Sequence, residues 1–157
     1  MAATAFLDLN SIDLNQVVAN QEEIYQRLPH RYEFMQLDRI VYFNKEEGLA
    51  VALREVREDE FWVKGHIPGR PLLPGVLMLE TAAHVASYCT QEIRPDDRFL
   101  GFGGVENVKF RGVVEPPAKM YFILKMVECR PRRTIGDAQG FVDGKLVFEG
   151  RIIGLPF

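Results

Sequence analysis

Alternation of apolar and polar side chains predicts that most of this 157-residue chain is extended. Arg39–Asn44 and Leu49–Val56 both alternate in this way, as strands with one buried face do, and the polar turn at 45–48 joins them into a hairpin. After Pro95 the pattern predicts further strands at 99–102, 106–111, 119–130 and 138–153. The last of these divides at Asp143-Gly144, a strong signal for a two-residue hairpin turn.

Two stretches follow a helical pattern instead. A short helix is predicted to begin after Asn20, a favourable N-cap residue, and to end before Pro29. Residues 75–92 carry apolar side chains on nearly every helical face, which is typical of a buried helix. The order of elements therefore predicts the α+β class, with an antiparallel sheet around one long central helix.

Length and composition indicate a single domain over 1–157, with 47% hydrophobic and 26% charged residues. Residues 1–18 are the least patterned and are expected to form a flexible or peripheral extension. A net charge of -3 argues against general affinity for nucleic acid or anionic membranes. We find no secretory signal, no span of about 20 apolar residues, and only two cysteines. We therefore expect a cytoplasmic protein.

The segment from Gly65 to Glu80 carries the most distinctive chemistry. It places His66 in a stiff loop rich in Gly and Pro, after an expected extended segment at 60–64 and ahead of the apolar helix that carries Glu80. His66 suits a general base, and Glu80 suits a general acid only if burial raises its pKa. Unpaired N–H groups near Gly75 and Val76 can hold a thioester oxygen. Such a set can dehydrate a β-hydroxy thioester, although a loop His and a buried Glu are often purely structural.

Several motifs point to a known family. In chain order they are Leu28-Pro29-His30-Arg31-Tyr32, Asp38-Arg39, Gly65-His66-Ile67-Pro68-Gly69-Arg70-Pro71, and Pro74-Gly75-Val76-Leu77 followed by Glu80. Together they closely resemble the bacterial β-hydroxyacyl-acyl-carrier-protein dehydratases of fatty acid synthesis. The resemblance covers about residues 20–153 and implies a hot-dog fold, in which a curled antiparallel sheet wraps one long helix.

The resemblance also implies an activity and a partner. The enzyme would convert a (3R)-hydroxyacyl thioester of acyl carrier protein to the trans-2-enoyl thioester, with His66 as base, Glu80 assisting loss of the hydroxyl and the Gly75 N–H holding the carbonyl. It would be a homodimer in which His66 of one protomer faces Glu80 of the other, and a hexamer built as a trimer of dimers is left open. No metal or redox cofactor is implied, because phosphopantetheine arrives with the substrate.

One departure from the family lies beside Glu80. Family members usually carry Gln at the position of His84, which shares a helix face with Glu80 and joins Gly75 and Val76 as an expected substrate-binding residue. A charged His84 would weaken Glu80 as an acid, whereas a neutral one would orient it. His66, Glu80 and His84 also imitate a two-histidine, one-carboxylate metal site, but the resemblance favours a site without metal.

Other features widen the choice. His30 is expected to play a structural role in a packed turn. A basic set is either a solvated surface or a docking patch for the acidic carrier protein: Lys109, Arg111, Arg130, Arg132 and Arg133. Changes in later motifs indicate a divergent member, so two alternatives stay open. These are an acyl thioesterase of the same fold and a non-catalytic acyl-binding subunit.

Overall fold

Two helices and seven strands make up the computed structural model, which describes residues 4–157. In chain order these are β1 (Ala19–Asn20), α1 (Gln21–Arg27), β2 (Arg39–Asn44), β3 (Leu49–Val56), α2 (Gly75–Ile93), β4 (Leu100–Phe110), β5 (Ala118–Arg130), β6 (Arg133–Val142) and β7 (Lys145–Pro156). Single turns of 3-10 helix occur at Leu9–Ser11 and Tyr32–Phe34.

The strands form one antiparallel sheet in the order β1-β2-β3-β5-β6-β7-β4. Helix α2 contacts five of them, β3 to β7, so the sheet covers the helix from several sides. Buried residues consequently occupy most of its faces: Leu77, Met78, Thr81, Ala82, His84, Val85, Ala86, Ser87, Tyr88, Cys89 and Thr90. The predicted fold class, a sheet wrapped around one long helix, is confirmed.

Local signals behave as their chemistry predicts. Asn20 caps α1 by accepting a 2.8 Å hydrogen bond from the Glu23 N–H, and the Glu23 carboxylate accepts one of 3.2 Å from the Asn20 N–H. This reciprocal pair is a capping box. Asp143 and Gly144 have φ of 49° and 76°, the left-handed values that the tight turn between β6 and β7 requires.

Strands β4 and β6 differ from the prediction. The segments predicted as two strands form the single strand β4, whose pairing with β7 shifts register between Phe102 and Gly104 and again between Glu106 and Lys109. These irregularities interrupt the apolar–polar alternation that sequence patterns rely on. Strand β6 starts at Arg133 rather than at 138. The sequence pattern missed its first residues because the buried positions there hold small side chains, at Thr134 and Gly136, which give no apolar signal.

Apolar residues pack on both faces of the sheet. One cluster lies between the sheet and α2, and the alternate residues of β3 (Leu49, Val51 and Leu53) face a second cluster on the opposite side. Residues 4–18 cover that second cluster with Phe6 and four further apolar side chains: Leu7, Leu9, Ile12 and Leu14. The Gln139 side chain ties this segment down through Thr4 O (3.0 Å) and Phe6 N (2.9 Å). The first three residues of the expected extension lie outside the described residues.

Residues 4–157 contain no helix that could cross a membrane. Neither α1 nor α2 combines the length and the hydropathy that a bilayer-spanning helix needs.

Candidate active site

His66 lies in a series of tight turns between β3 and α2. The sequence pattern predicted residues 60–64 to be extended, and this is wrong: Val63 N–H bonds to Glu60 O (3.1 Å) and His66 N–H bonds to Trp62 O (2.8 Å). The His66 Nδ1 lies 2.6 Å from Leu72 O, and a carbonyl oxygen can only accept. Nδ1 therefore carries a proton, and in the neutral ring the Nε2 lone pair is available to act as a base.

A buried arginine that the sequence analysis did not single out anchors these turns. Arg54 on β3 is 1% exposed, and its guanidinium donates to both carboxylate oxygens of Glu60 at 2.7 and 3.1 Å. Gln36 accepts a third bond from it at 2.7 Å. Burial alone would raise the pKa of Glu60, but the hydrogen bonds and charge of Arg54 outweigh it and lower that pKa. The turn that leads to His66 is thus attached to the sheet by a charged bidentate pair.

The N-terminus of α2 forms the second part of the site. Leu77 N–H donates the first bond of the helix, to Pro74 O at 3.0 Å, so the N–H groups of Gly75 and Val76 precede the helical ladder. A Cβ at position 75 would come within 2.9 Å of the Phe110 ring, so a larger residue there would require this ring to move. Val76 is exposed. These two N–H groups are positioned to bind a carbonyl oxygen.

Glu80, one turn into α2, belongs to a chain of hydrogen bonds. Its Oε1 lies 2.9 Å from His84 Nε2, and His84 Nδ1 lies 2.8 Å from the hydroxyl of Tyr25 on α1. Leu37 N–H donates to that hydroxyl at 2.9 Å. His84 is 1% exposed, whereas the Glu80 side chain is 22% exposed. Glu80 is therefore held by a buried partner while it faces an accessible space.

The sequence left the ionisation of Glu80 open, since burial would raise its pKa and a charged His84 would lower it. Within the subunit the hydrogen bond with His84 is the largest influence, and the pKa of Glu80 is lowered. Burial opposes this effect but is incomplete. Glu80 is consequently a carboxylate near neutral pH.

His30 is the site residue whose position the sequence analysis missed. Its Nε2 lies 3.8 Å from Glu80 Oε1, and its ring centroid lies 4.0 Å from that of His84. Within residues 4–157 its buried Nδ1 has no hydrogen-bond partner. Burial and the neighbouring His84 lower its pKa to about 4, so the ring is neutral at pH 7. The available signal was its place in the same motif series as His66 and Glu80.

This pKa predicts a pH dependence of stability. Unfolded His30 takes up a proton near pH 6.5 and folded His30 only near pH 4, so acidification through that window favours the unfolded state. After allowance for solvent screening the loss is about 1–2 kcal/mol. Urea unfolding at pH 7, 5.5 and 4.5 should show a steeper decline for the wild type than for His30→Gln. Equal slopes would contradict the assignment.

A cavity of about 90 Å³ opens beside Glu80. Its lining includes the polar side chains of His30, Glu80 and His84, and the apolar side chains of Phe99, Phe102 and Ile152 from β4, the residue before it and β7. His66 does not line this cavity. The structure therefore brings Glu80 together with His84 and His30, but not with the His66 of its own chain.

The sequence suggested His66, Glu80 and His84 as a possible set of metal ligands. In the structure, the residues whose potential ligand atoms lie within 4.8 Å of one another are instead His30, Glu80 and His84. The pair at the centre of this group has hydrogen-bonding geometry. His84 Nε2 and Glu80 Oε1 are 2.9 Å apart, a distance at which the two groups share a hydrogen bond.

The basic residues of the expected docking patch fall into two groups. Arg130 and Arg133 flank the turn between β5 and β6 and both pair with Glu128. Arg132 lies in the same turn. The second group, Lys109 and Arg111, lies at the far end of β4 and the chain after it; Arg111 there pairs with Glu149. Six residues of β6 separate the two ends, roughly 20 Å, so the five do not form one patch.

Comparison with known sequences identifies relatives along most of the chain. A model of the FabA-like domain family matches residues 28–151. A protein of Shewanella sediminis named 3-hydroxyacyl-[acyl-carrier-protein] dehydratase FabZ is 37% identical over 151 residues, which cover 92% of each chain. A protein of the same name from Lawsonia intracellularis is 36% identical over 134 residues, 83% of this chain and 87% of that one.

Solved structures with low sequence identity share the fold. The dehydratase heterocomplex ApeI:P from Xenorhabdus doucetiae aligns with a TM-score of 0.72 at 13% identity, covering 85% of this chain and 90% of that one. A hypothetical thioesterase with coenzyme A from Streptococcus pneumoniae aligns with a TM-score of 0.59 at 7% identity, covering 85% and 90%. The fold alone is thus common to proteins with different names.

Proposed function

Because this chain belongs to the FabA-like domain family, we propose that it is a hydro-lyase of fatty acid biosynthesis. It removes water from a (3R)-hydroxyacyl thioester of acyl carrier protein and forms the trans-2-enoyl thioester. The observation that carries this proposal is the intact set of family motifs around His66, Gly75 and Glu80 within a matching region of residues 28–151. The enzyme needs no cofactor of its own, because the phosphopantetheine group belongs to the carrier protein that delivers the substrate. The reaction takes place in the cytoplasm.

Each site residue has a role in this reaction. The Nε2 of His66 takes the proton from the carbon next to the thioester, and the bond between the β-carbon and the hydroxyl breaks. Glu80 binds the departing hydroxyl, which takes the proton held by His66 and leaves as water. The N–H groups of Gly75 and Val76 stabilise the negative charge that develops on the thioester oxygen.

A homodimer with shared sites fits the separation of His66 from the cavity of Glu80. In this arrangement His66 of one protomer faces Glu80 of the other. Strand β4 forms one edge of the described sheet and exposes Phe102, Val105 and Phe110, a surface suited to a second copy. Light scattering distinguishes this dimer from a hexamer built as a trimer of dimers.

Mixing two inactive variants tests the shared site. His66→Ala and Glu80→Ala homodimers should each be inactive, whereas half of the randomly reassembled dimers contain one intact site. Activity should then recover to about a quarter of the wild-type value. The assay is enoyl thioester hydration after joint refolding, with each variant refolded alone as control. Absence of recovery in reassembled heterodimers would contradict sites shared between protomers.

The carrier protein docks through the turn between β5 and β6. One carboxylate, that of Glu128, pairs with two arginines of this turn, Arg130 and Arg133, so it balances only one of their two charges. Arg132 adds a further positive charge, and the turn is therefore positive. Lys109 and Arg111 contribute at most a separate contact, since they lie at the other end of the sheet.

The test of function is a panel of 3-hydroxyacyl thioesters of increasing length, followed by enoyl absorbance and, in parallel, by a thiol reagent. We expect an enoyl signal without release of free thiol. A thioesterase is the second candidate, because an ionised Glu80 is suited to direct water at a thioester. Release of thiol without an enoyl signal would establish that candidate instead. Binding without turnover at any length would indicate a non-catalytic subunit.

A further inference from the structure

The hydrogen bonds between Leu37, Tyr25, His84 and Glu80 favour one set of donors. A peptide N–H can only donate, so the Tyr25 oxygen accepts from Leu37 at 2.9 Å. Among the described residues, His84 Nδ1, 2.8 Å away, is the acceptor within reach of the Tyr25 hydroxyl proton, and a buried hydroxyl is satisfied when its proton points there. Tyr25 is 2% exposed, and burial raises the pKa of its hydroxyl, so this proton stays on the phenol.

The form of His84 follows from these bonds. Because Nδ1 accepts the proton of Tyr25, a neutral His84 ring carries its own proton on Nε2. That proton points at Glu80 Oε1, 2.9 Å away, and a group that accepts such a bond is best satisfied as a carboxylate. The buried phenol thus determines which nitrogen of His84 faces Glu80.

The surrounding charges do not compete with this arrangement. Glu80 is faced by His84 from its own helix and by His30 from the segment after α1, and His30 is neutral at pH 7. Three other charged groups have smaller effects: Arg31 acts on His30, and Asp38 and Arg54 act on Tyr25.

We propose that His84, held in its Nε2-protonated form by Tyr25, is a positioning residue that keeps Glu80 ionised, so that Glu80 accepts a hydrogen bond from the substrate hydroxyl and does not donate a proton. This rests on the proposed dehydratase function. His66 takes the α-proton and becomes an imidazolium, the bond from the β-carbon to oxygen breaks, and the same imidazolium returns a proton to the oxygen. Water forms, His66 is restored, and Glu80 keeps its charge throughout.

The first test does not require activity. The chain contains three histidines, so ¹⁵N spectra of the ring nitrogens can be assigned with His30→Gln and His66→Gln variants. We expect His84 to carry its proton on Nε2 at pH 7. In Tyr25→Phe this restriction is lost, and a charged or Nδ1-protonated population should appear at the same pH. A charged or Nδ1-protonated His84 in the wild type at pH 7 would overturn the proposal.

The second test separates acceptance from donation at Glu80. Glu80→Gln keeps an acceptor oxygen but has no carboxylic acid, so its kcat should fall by about tenfold or less, whereas Glu80→Ala should lose about 100-fold. Equal losses in the two variants would overturn the proposal that Glu80 acts through an acceptor oxygen. An inactive wild type on every thioester would instead contradict the dehydratase function and leave the ¹⁵N result valid.

A third comparison concerns His84 itself. His84→Gln retains an N–H that can bond Glu80 and should preserve kcat within a few fold, whereas His84→Ala should lower kcat about tenfold and shift the acidic limb of the pH profile upward. The shift follows because Glu80 loses the bond that lowers its pKa. An unshifted acidic limb in His84→Ala would contradict a positioning role, since a merely structural residue would change the rate without moving the profile.

Discussion

Replacing His66 by alanine is expected to lower the rate of enoyl thioester hydration by about 10³-fold, within the range usual for loss of a general base. The physical reason is that His66 Nδ1 donates its proton to Leu72 O at 2.6 Å, so that in the neutral ring Nε2 carries the lone pair that takes the α-proton. The measurement is steady-state hydration of crotonyl and longer enoyl thioesters across pH 5 to 9. The fall should appear in kcat, since the N–H groups that bind the carbonyl are unchanged.

A neighbouring exposed residue provides the matched control. Lys64 lies two positions before His66 in the same turns, and Lys64→Ala should retain wild-type kcat and KM. Circular dichroism of both variants separates loss of chemistry from loss of fold. A His66→Ala enzyme with more than a tenth of wild-type kcat would exclude His66 as the base.

Replacing Glu60 by alanine is expected to destabilise the protein by about 3–5 kcal/mol, because it leaves the buried Arg54 guanidinium without its charged partner. Gln36 would remain as a neutral acceptor and cannot balance the charge. The loss should lower the urea midpoint without changing the slope of the transition. Activity measured well below that midpoint should also fall, since Glu60 holds the turn before His66 through Arg57 N–H at 2.8 Å and Trp62 Nε1 at 3.2 Å.

Glu58 serves as the control for this prediction. It is an exposed acid two residues away, so Glu58→Ala makes the same change of charge and should alter stability by less than about 0.5 kcal/mol. A loss below about 1 kcal/mol in Glu60→Ala would show that water reaches Arg54 and replaces the carboxylate.

Sequence patterns were sufficient where a structural choice depends on residues close together in the chain. The capping box at Asn20, the turn at Asp143-Gly144 and the bounds of β2 and β3 follow from backbone preferences and from apolar–polar alternation within a few residues. The burial of α2 follows from the absence of any polar face. The motif around His66 and Gly75 was recognisable for the same reason, since its members are neighbours in sequence.

Patterns failed where the chain departs from regular spacing. The register shifts in β4 made one strand resemble two, and the small buried residues of β6 hid five positions of that strand. The turns at 60–64 depend on Arg54, whose burial within an apolar strand is satisfied only when the chain folds back to bring Glu60 against it.

The electrostatic character of the candidate site depends on contacts between distant segments. The sequence placed His84 beside Glu80 and left both effects of that neighbour open, while Tyr25, 59 residues away, determines which nitrogen of His84 carries the proton. His30 reaches Glu80 from a turn that seemed purely structural. Residue identities and local spacing therefore specified the elements and the candidate chemistry. Protonation depends on burial and on hydrogen-bond partners, and these exist only after α1, the segment after it and α2 have packed together.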